Sequence, residues 1–218
     1  AYEKGDPALE TEKAVQSNFS IEKSGDGSLQ LHFSVFQQWV GDFIYLQPRK
    51  EFVLTIRGAF PAFDYLQTDA LLFGGEADVD WNFWKNLHWQ NRVSLLRAKD
   101  ADTKTFLPFM PADRIETALQ YDFKTAGSWK NPFVKMEFQH TFRQSRIPEN
   151  SDFAPPPPAY SLLNLEAGIG KDFSKNYLDF GLRIQNLLNV AYRDYMDRLR
   201  YFSDEPGRNI SLRIKWTF

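Results

Sequence analysis

The chain reads as an all-β protein, an antiparallel up-and-down sheet of the kind that closes into a transmembrane β-barrel. Three observations predict this. Apolar residues recur at every second position through most of the chain, and short and long connections alternate. Aromatic content is high, at 16% of residues with 20 Phe, 9 Tyr and 6 Trp. In a β-strand successive side chains point to opposite faces, so a period of two yields one apolar and one polar face. Several rows run about ten residues, the length a tilted strand needs to cross ~30 Å of hydrocarbon, whereas sandwich strands average nearer ~6.

The closing stretch NISLRIKWTF shows the pattern most clearly. Ile210, Leu212, Ile214, Trp216 and Phe218 alternate with Ser211, Arg213, Lys215 and Thr217. The same alternation begins at Ala14, where Val15, Phe19 and Ile21 face away from Gln16, Asn18, Ser20 and Glu22. A Gly/Asp turn, KSGDGS (Lys23 to Ser28), leads to Leu29, Leu31, Phe33 and Val35, continuing towards Ile44. A connection around QPRKEF precedes a long β-like stretch from about Phe63 to Phe83. Its second half sets Phe73, Gly75, Ala77, Val79 and Trp81 against Gly74, Glu76, Asp78 and Asp80.

A tight reversal at WKN gives Leu87, Trp89, Val93 and Leu95, and the loop DADTKTFLPFMPAD follows. Ile115, Thr117, Leu119 and Tyr121 make the next row. After a turn at TAGSWKNP come Val134, Met136 and Phe138. The loop SRIPENSDFAPPPPA cannot be strand, because Pro155 to Pro158 have no donors. Leu163, Leu165 and Ala167 form a further row, then KDFSKN turns into Leu178, Phe180, Leu182 and Ile184. A polar loop from about Asn189 to Arg208 precedes the closing strand, making about nine strands in all. Every short connection falls on the side of Phe218, the periplasmic side of such a barrel.

Bulk composition narrows the function classes. A formal net charge of −2 gives no sign of a nucleic-acid partner. There are no cysteines, which removes disulfides, thiolate metal sites and cysteine nucleophiles. A mean hydropathy of −0.47 and the lack of an apolar run near ~18 residues exclude a transmembrane helix but not a barrel. A wet lumen wall accounts for Glu76, Asp78, Asp80, Glu116, Glu137 and Arg183 without catalysis. His32, His88 and His140 lack metal-ligand spacing, and no phosphate loop, nucleophile elbow or dinucleotide fingerprint appears. No enzyme and no cofactor are expected. Periodicity alone leaves open a soluble β-sandwich binding module, which buries the same apolar rows between two layers.

The C-terminal run NLLNVAYRDYMDRLRYFSDEPGRNISLRIKWTF resembles the last hairpin of the TonB-dependent outer-membrane receptors. Their "N-L-hydrophobic-N-x-x-Y" block is matched by Asn186, Leu187, Leu188, Asn189 and Tyr192. Their "P-G-R" is matched by Pro206, Gly207 and Arg208, and their terminal aromatic by Phe218. GDPALETEK, YLQTDALLFGGEADVDW and FMPADRIETALQYDF are similar to further family blocks in the same order, with Asp6 and Thr11 departing from the first of them.

The resemblance implies a 22-stranded barrel plugged by another domain. Residues 1–218 would then be its C-terminal β-barrel segment, about nine strands of the larger barrel. The expected partners are the remaining barrel strands and plug domain of the same receptor, outer-membrane lipid, and the TonB complex through parts absent here. The expected location is the bacterial outer membrane. The expected function is TonB-energised uptake of a scarce nutrient, a ferric siderophore or similar metal chelate. A small self-contained barrel, passive or structural, is the competing barrel reading. For ligand contact the loop before the last strand supplies Arg193, Tyr195, Arg198, Arg200 and Tyr201, guanidinium forks beside aromatic rings that suit an anionic or catecholate-like ligand. The competing role for those residues is an internal network with Asp194, Asp197, Asp204 and Glu205.

Overall fold

The computed structural model describes residues 2–25, 28–149 and 151–218. Its strands are β1 (Tyr2–Lys4), β2 (Lys13–Lys23), β3 (Leu29–Pro48), β4 (Val53–Thr55), β5 (Gly58–Phe60), β6 (Ala62–Trp84), β7 (Leu87–Asp100), β8 (Arg114–Asp122), β9 (Trp129–Thr141), β10 (Tyr160–Phe173), β11 (Asn176–Gln185) and β12 (Asn209–Thr217). A 3-10 turn, Arg198–Tyr201, interrupts the last loop. Part of the KSGDGS turn, Asp26 and Gly27, lies outside the described residues.

Nine strands form one antiparallel meander in the order β12-β11-β10-β9-β8-β7-β6-β3-β2, so neighbours in the chain are neighbours in space. The β4–β5 hairpin stands apart within the β3–β6 connection, and β1 lies parallel to β6 with Glu3 opposite Phe63. Among the described residues no second layer is stacked on the sheet. The sandwich expectation is therefore corrected: Ile210, Leu212, Ile214 and Trp216, which it would bury, are 63% to 80% exposed. The self-contained barrel is corrected too, because β12 pairs with β11 and not with β2. Among the described residues, β2 and β12 each have one unpaired edge.

Register fixes the two faces. Across β11 and β12, Leu182 sits opposite Leu212 and Phe180 opposite Ile214 on the apolar face, while Asp179 faces Lys215 on the polar one. Following partners across the sheet places Glu76, Asp78, Asp80, Glu116, Glu137 and Arg183 on that same polar face. Bulges adjust the ladder where the sequence breaks its alternation. On β3, Gly41 and Asp42 (φ 58°) intervene between Val40 and Phe43. On β9, Asn131 (φ 45°) and Pro132 together oppose the single residue Ile169 of β10. A proline without an N–H is tolerated at such an irregularity. The expected TAGSWKNP turn is thus shorter than the sequence implies, and Trp129 to Pro132 belong to the strand.

The short connections gather at one end of the sheet. There the rings cluster on the apolar face: Trp81 meets Trp89 at 6.4 Å, Tyr121 meets Phe123 at 4.8 Å, and Lys171 lies 4.6 Å over Trp129. The long connections, 49–61, 101–113, 142–159 and 186–208, gather at the other end. The loop 101–113 folds onto the polar face, burying Leu107 against Ala70 and Ala98, with Phe43, Tyr45, Leu72 and Met110 around them.

One close approach across the sheet demands a glycine. The Phe133 ring lies over Gly168 on the neighbouring strand, and a Cβ there would come within 2.4 Å of it. Gly168→Ala is expected to destabilise the sheet by about 1–3 kcal/mol, the range for overpacking. Adding Phe133→Ala should recover part of that loss, a non-additivity readable in urea unfolding of the refolded protein; simple addition of the two losses would contradict the packing described.

Candidate functional site

The four long loops interlock over one end of the sheet, and their junction holds a buried cluster of paired polar groups. At its centre the Arg200 Nη2 donates to Asp152 and to the Tyr201 hydroxyl at 3.1 Å. The Tyr201 hydroxyl in turn donates to the other oxygen of Asp152 at 2.6 Å. The Arg200 and Asp152 side chains are 2% and 4% exposed. Removing one member of a pair this buried leaves an uncompensated charge, a loss of about 3–5 kcal/mol. The guanidinium is also sandwiched by rings, lying 4.7 Å from the Tyr195 centroid and 4.5 Å from that of Tyr201. Burial and the adjacent Asp152 both push the Tyr201 hydroxyl upward, so it remains a protonated donor.

Aromatic packing carries this centre into the other loops. Phe153 meets Phe52, Phe63 and Tyr201, and Phe109 stacks on Tyr195 at 6.1 Å. The Tyr195 hydroxyl accepts from the Phe109 N–H at 3.3 Å. Gln144, 2% exposed, donates to the carbonyls of Met110 and Pro111 at 2.8 and 2.9 Å, tying loop 142–159 to loop 101–113. The segment before β2 joins in, with Glu3 paired to Arg198 and Glu10 bonded twice to the Gln67 side chain.

The motif residues of the last loop turn out to be its fasteners. Asn186, at φ 49°, donates to the Val190 carbonyl and accepts from the Val190 N–H, each at 2.8 Å. Asn189, at φ 54°, accepts from the Arg208 N–H at 2.9 Å through its side-chain oxygen. That oxygen lies 2.7 Å from where a Cβ on Gly207 would sit, which is why glycine precedes the arginine. Asparagine suits both positive-φ sites because its short polar side chain bonds locally. One turn further in, Glu205 N–H donates to the Tyr192 carbonyl at 2.9 Å, and the Tyr192 ring packs on Tyr160 at 4.5 Å. Pro206 and Arg208 flank the fastened glycine, and Phe218 closes the chain beside Trp216 at 6.3 Å.

The five candidate ligand residues divide into two sets. Arg193 and Tyr195, with Arg114, Tyr160, Asp194 and Pro158, line a cavity of about 370 Å³ between the loops and the polar face. Arg193 pairs with Asp204 at 2.6 Å and donates to the Arg200 carbonyl at 2.8 Å. Arg198, Arg200 and Tyr201 instead face Glu3 and Asp152. The network that competes with ligand binding therefore exists, but its acids are mostly distant in sequence. Asp152 carries no sequence signal linking it to Arg200. Below the loops, the polar face is a lattice: Arg92 Nε donates to Asp78 at 2.5 Å, Gln90 to Asp80 at 2.9 Å, Lys135 to Gln90 at 2.9 Å and Asn164 to Glu137 at 2.8 Å. Arg92 and Asp78 pair as ions, while Asp80, Lys135 and Glu137 are held by the neutral amides of Gln90 and Asn164.

Two tests follow from the fasteners. Gly207→Ala is expected to drive a Cβ into the Asn189 oxygen and open the loop, raising amide exchange across 190–206 while the strands stay protected; unchanged exchange would contradict the close approach. The second concerns pH. Burial, then a hydrogen bond and repulsion from Asp197 with a further share from Asp194, raise the Glu205 carboxyl above its ordinary value. A raised carboxyl pKa stabilises the folded loop at low pH, and that contribution is lost as pH rises through the raised value. Protection of the loop amides, measured relative to their intrinsic exchange rates, should therefore fall as Glu205 ionises, and Glu205→Gln should abolish that fall.

Comparison with known proteins agrees with this architecture. The family model for "TonB dependent receptor-like, beta-barrel" matches residues 1–187. No curated protein matches the sequence. Among solved structures, the copper transporter OprC superposes with a TM-score of 0.72 at 19% identity, covering 98% of this chain and 32% of that one. The FrpB iron transporter from Neisseria meningitidis (F3-3 variant) gives 0.65 at 13% identity, covering 97% and 32%. The siderophore receptor PirA from Acinetobacter baumannii gives 0.65 at 19%, covering 99% and 33%. The chain thus spans about a third of these proteins' length, and at such identities the likeness is one of fold. Its sheet is an open segment of their barrel, its motif residues hold the last loop shut, and the family model covers most of its residues: the chain belongs to the TonB-dependent receptor β-barrel family.

Proposed function

We propose that these nine strands are the C-terminal arc of an outer-membrane receptor that takes up a scarce nutrient with energy delivered through TonB. A ferric siderophore or similar metal chelate is the proposed cargo. The observation that carries this reading is the pair of unpaired sheet edges on β2 and β12 of a family-matched sheet. In hydrocarbon each unsatisfied backbone group costs several kcal/mol, so such a sheet requires further strands on both sides. Those strands, and a plug filling the lumen they enclose, are the proposed partners within the same receptor, and the TonB complex is reached through other parts. The apolar rows then face acyl chains, with the clustered rings at the short-turn end marking one lipid–water boundary. Glu76, Asp78, Asp80, Glu116, Glu137 and Arg183 face the lumen. The reading is of a transporter part, not an enzyme, in keeping with the structural neighbours, which are transporters and a siderophore receptor.

For the ligand, Arg193 and Arg198 are the proposed contacts, since both side chains are about half exposed, Arg198 over the Phe63 ring and Arg193 in the cavity it shares with Tyr160 and Tyr195. Tyr195, Arg200 and Tyr201 hold those two in place. In the whole receptor, Arg193→Ala with Arg198→Ala should lower uptake of a radiolabelled ferric chelate under iron limitation, with the barrel still assembled. Arg200→Ala should disorder the loop itself. Leu212→Arg, near the middle of the apolar band, should cost about 2–4 kcal/mol of membrane stability. A strain lacking the receptor that grows and takes up metal chelates normally would contradict the transport reading.

A further inference from the structure

We infer that the apolar face carries a site for one phosphate-bearing lipid, with an acyl chain lying in a trough over Gly75 and Ala77 and the phosphate held by Arg97 and Arg146. The inference rests on the lipid-facing placement of the apolar rows proposed above. Across β3, β6 and β7 the register sets Val35, Gly75 and Leu95 in one row and Phe33, Ala77 and Val93 in the next. Two small residues between larger ones leave a groove of about 720 Å³, walled by Phe19, Phe33 and Val35 on one side and Val93 and Leu95 on the other. From Ala77 to Phe73 the trough runs about 13 Å along the strand, at ~3.3 Å per residue. Phe19, Phe33 and Leu95 are 59%, 46% and 42% exposed, so the walls are open to an occupant.

The upper end of the groove is closed by Arg97, the cross-strand partner of Phe73. Arg97 grips Asp113 with both terminal nitrogens, at 2.5 and 2.9 Å, and Arg146 reaches the same carboxylate at 2.9 Å. Two guanidiniums thus share one anion, leaving one positive charge in excess. Their side chains are only 21% and 22% exposed, and the buried Nε of Arg146 has no hydrogen-bond partner among the described residues. Burial lowers the Arg146 pKa, with Asp113 opposing and Arg97 reinforcing the effect. Arginine forks match phosphate oxygens in geometry and charge. An apolar trough ending at Arg97, which shares its one carboxylate with Arg146 behind it, is complementary to an acyl chain ending at a phosphate. An uncharged lipid would leave the pair as it is, and free phosphate would leave the trough empty.

The test is native mass spectrometry of the intact receptor in mild detergent, supplied in turn with phosphatidylglycerol, diacylglycerol and inorganic phosphate. One phosphatidylglycerol should be retained per receptor, with neither of the other two held. Ala77→Leu, which fills the trough and leaves the arginines intact, and Arg97→Gln, which does the reverse, should each reduce retention by about tenfold, equivalent to about 1.4 kcal/mol. Equal retention of diacylglycerol, undiminished retention in both variants, or a receptor dimer occupying the face would overturn the site. A receptor that needs detergent yet holds no lipid refutes this inference alone. A receptor soluble without detergent refutes the membrane reading beneath it.

Discussion

The backbone ladder governs everything else in this molecule. Each strand of the meander satisfies its N–H and C=O groups through its neighbours, and the two outermost strands satisfy only half of theirs. In water such an edge is a risk of aggregation; in hydrocarbon it is prohibitive. This constraint makes the sheet a segment of something larger and ties the fold to the outer-membrane reading. The side chains then follow from parity, because register assigns every residue of a strand to one face or the other.

That parity explains why the two faces have such different chemistry. The polar face neutralises its charges side by side, as in Arg92 with Asp78 or Arg213 with Asp179 at 2.9 Å, a pattern compatible with water. The apolar face leaves whole rows of Leu, Ile and Phe uncovered. At the loop end of the apolar face, Arg97 meets Asp113 and Arg146 from the neighbouring loops, and the three groups are largely withdrawn from solvent. The loops are organised differently again, around a buried arginine between two tyrosines, so that they cap the sheet as one packed body and not as independent tips.

Much of this was legible in the residues themselves. Nine alternating rows, their faces and the alternation of connection length all follow from period-two patterning, and each row has a strand in the structure. What escaped has physical reasons. TAGSWKNP looks like a turn because Gly, Asn and Pro cluster there, yet a bulge absorbs Asn131 and Pro132 within β9. The three-residue strands β1, β4 and β5 are too short to show periodicity. The candidate arginines were visible as a cluster, and Asp204 as a local partner of Arg193. The pairing of Arg200 with Asp152 and of Arg198 with Glu3 depends on how four loops fold together, which no local pattern encodes. The role of Gly207 was hidden likewise, since it depends on the position of a side-chain oxygen from Asn189.

The central claim is the direction in which the apolar rows look, and site-directed spin labelling of the membrane-embedded receptor tests it most directly. Labels at Leu212 and Arg213, adjacent residues on opposite faces of β12, would be compared for collision with oxygen and with a water-soluble nickel chelate. The account predicts that the label at 212 is quenched mainly by oxygen dissolved in lipid and the label at 213 mainly by the aqueous reagent. Equal access to the aqueous reagent at both positions, or the reverse preference, would contradict it.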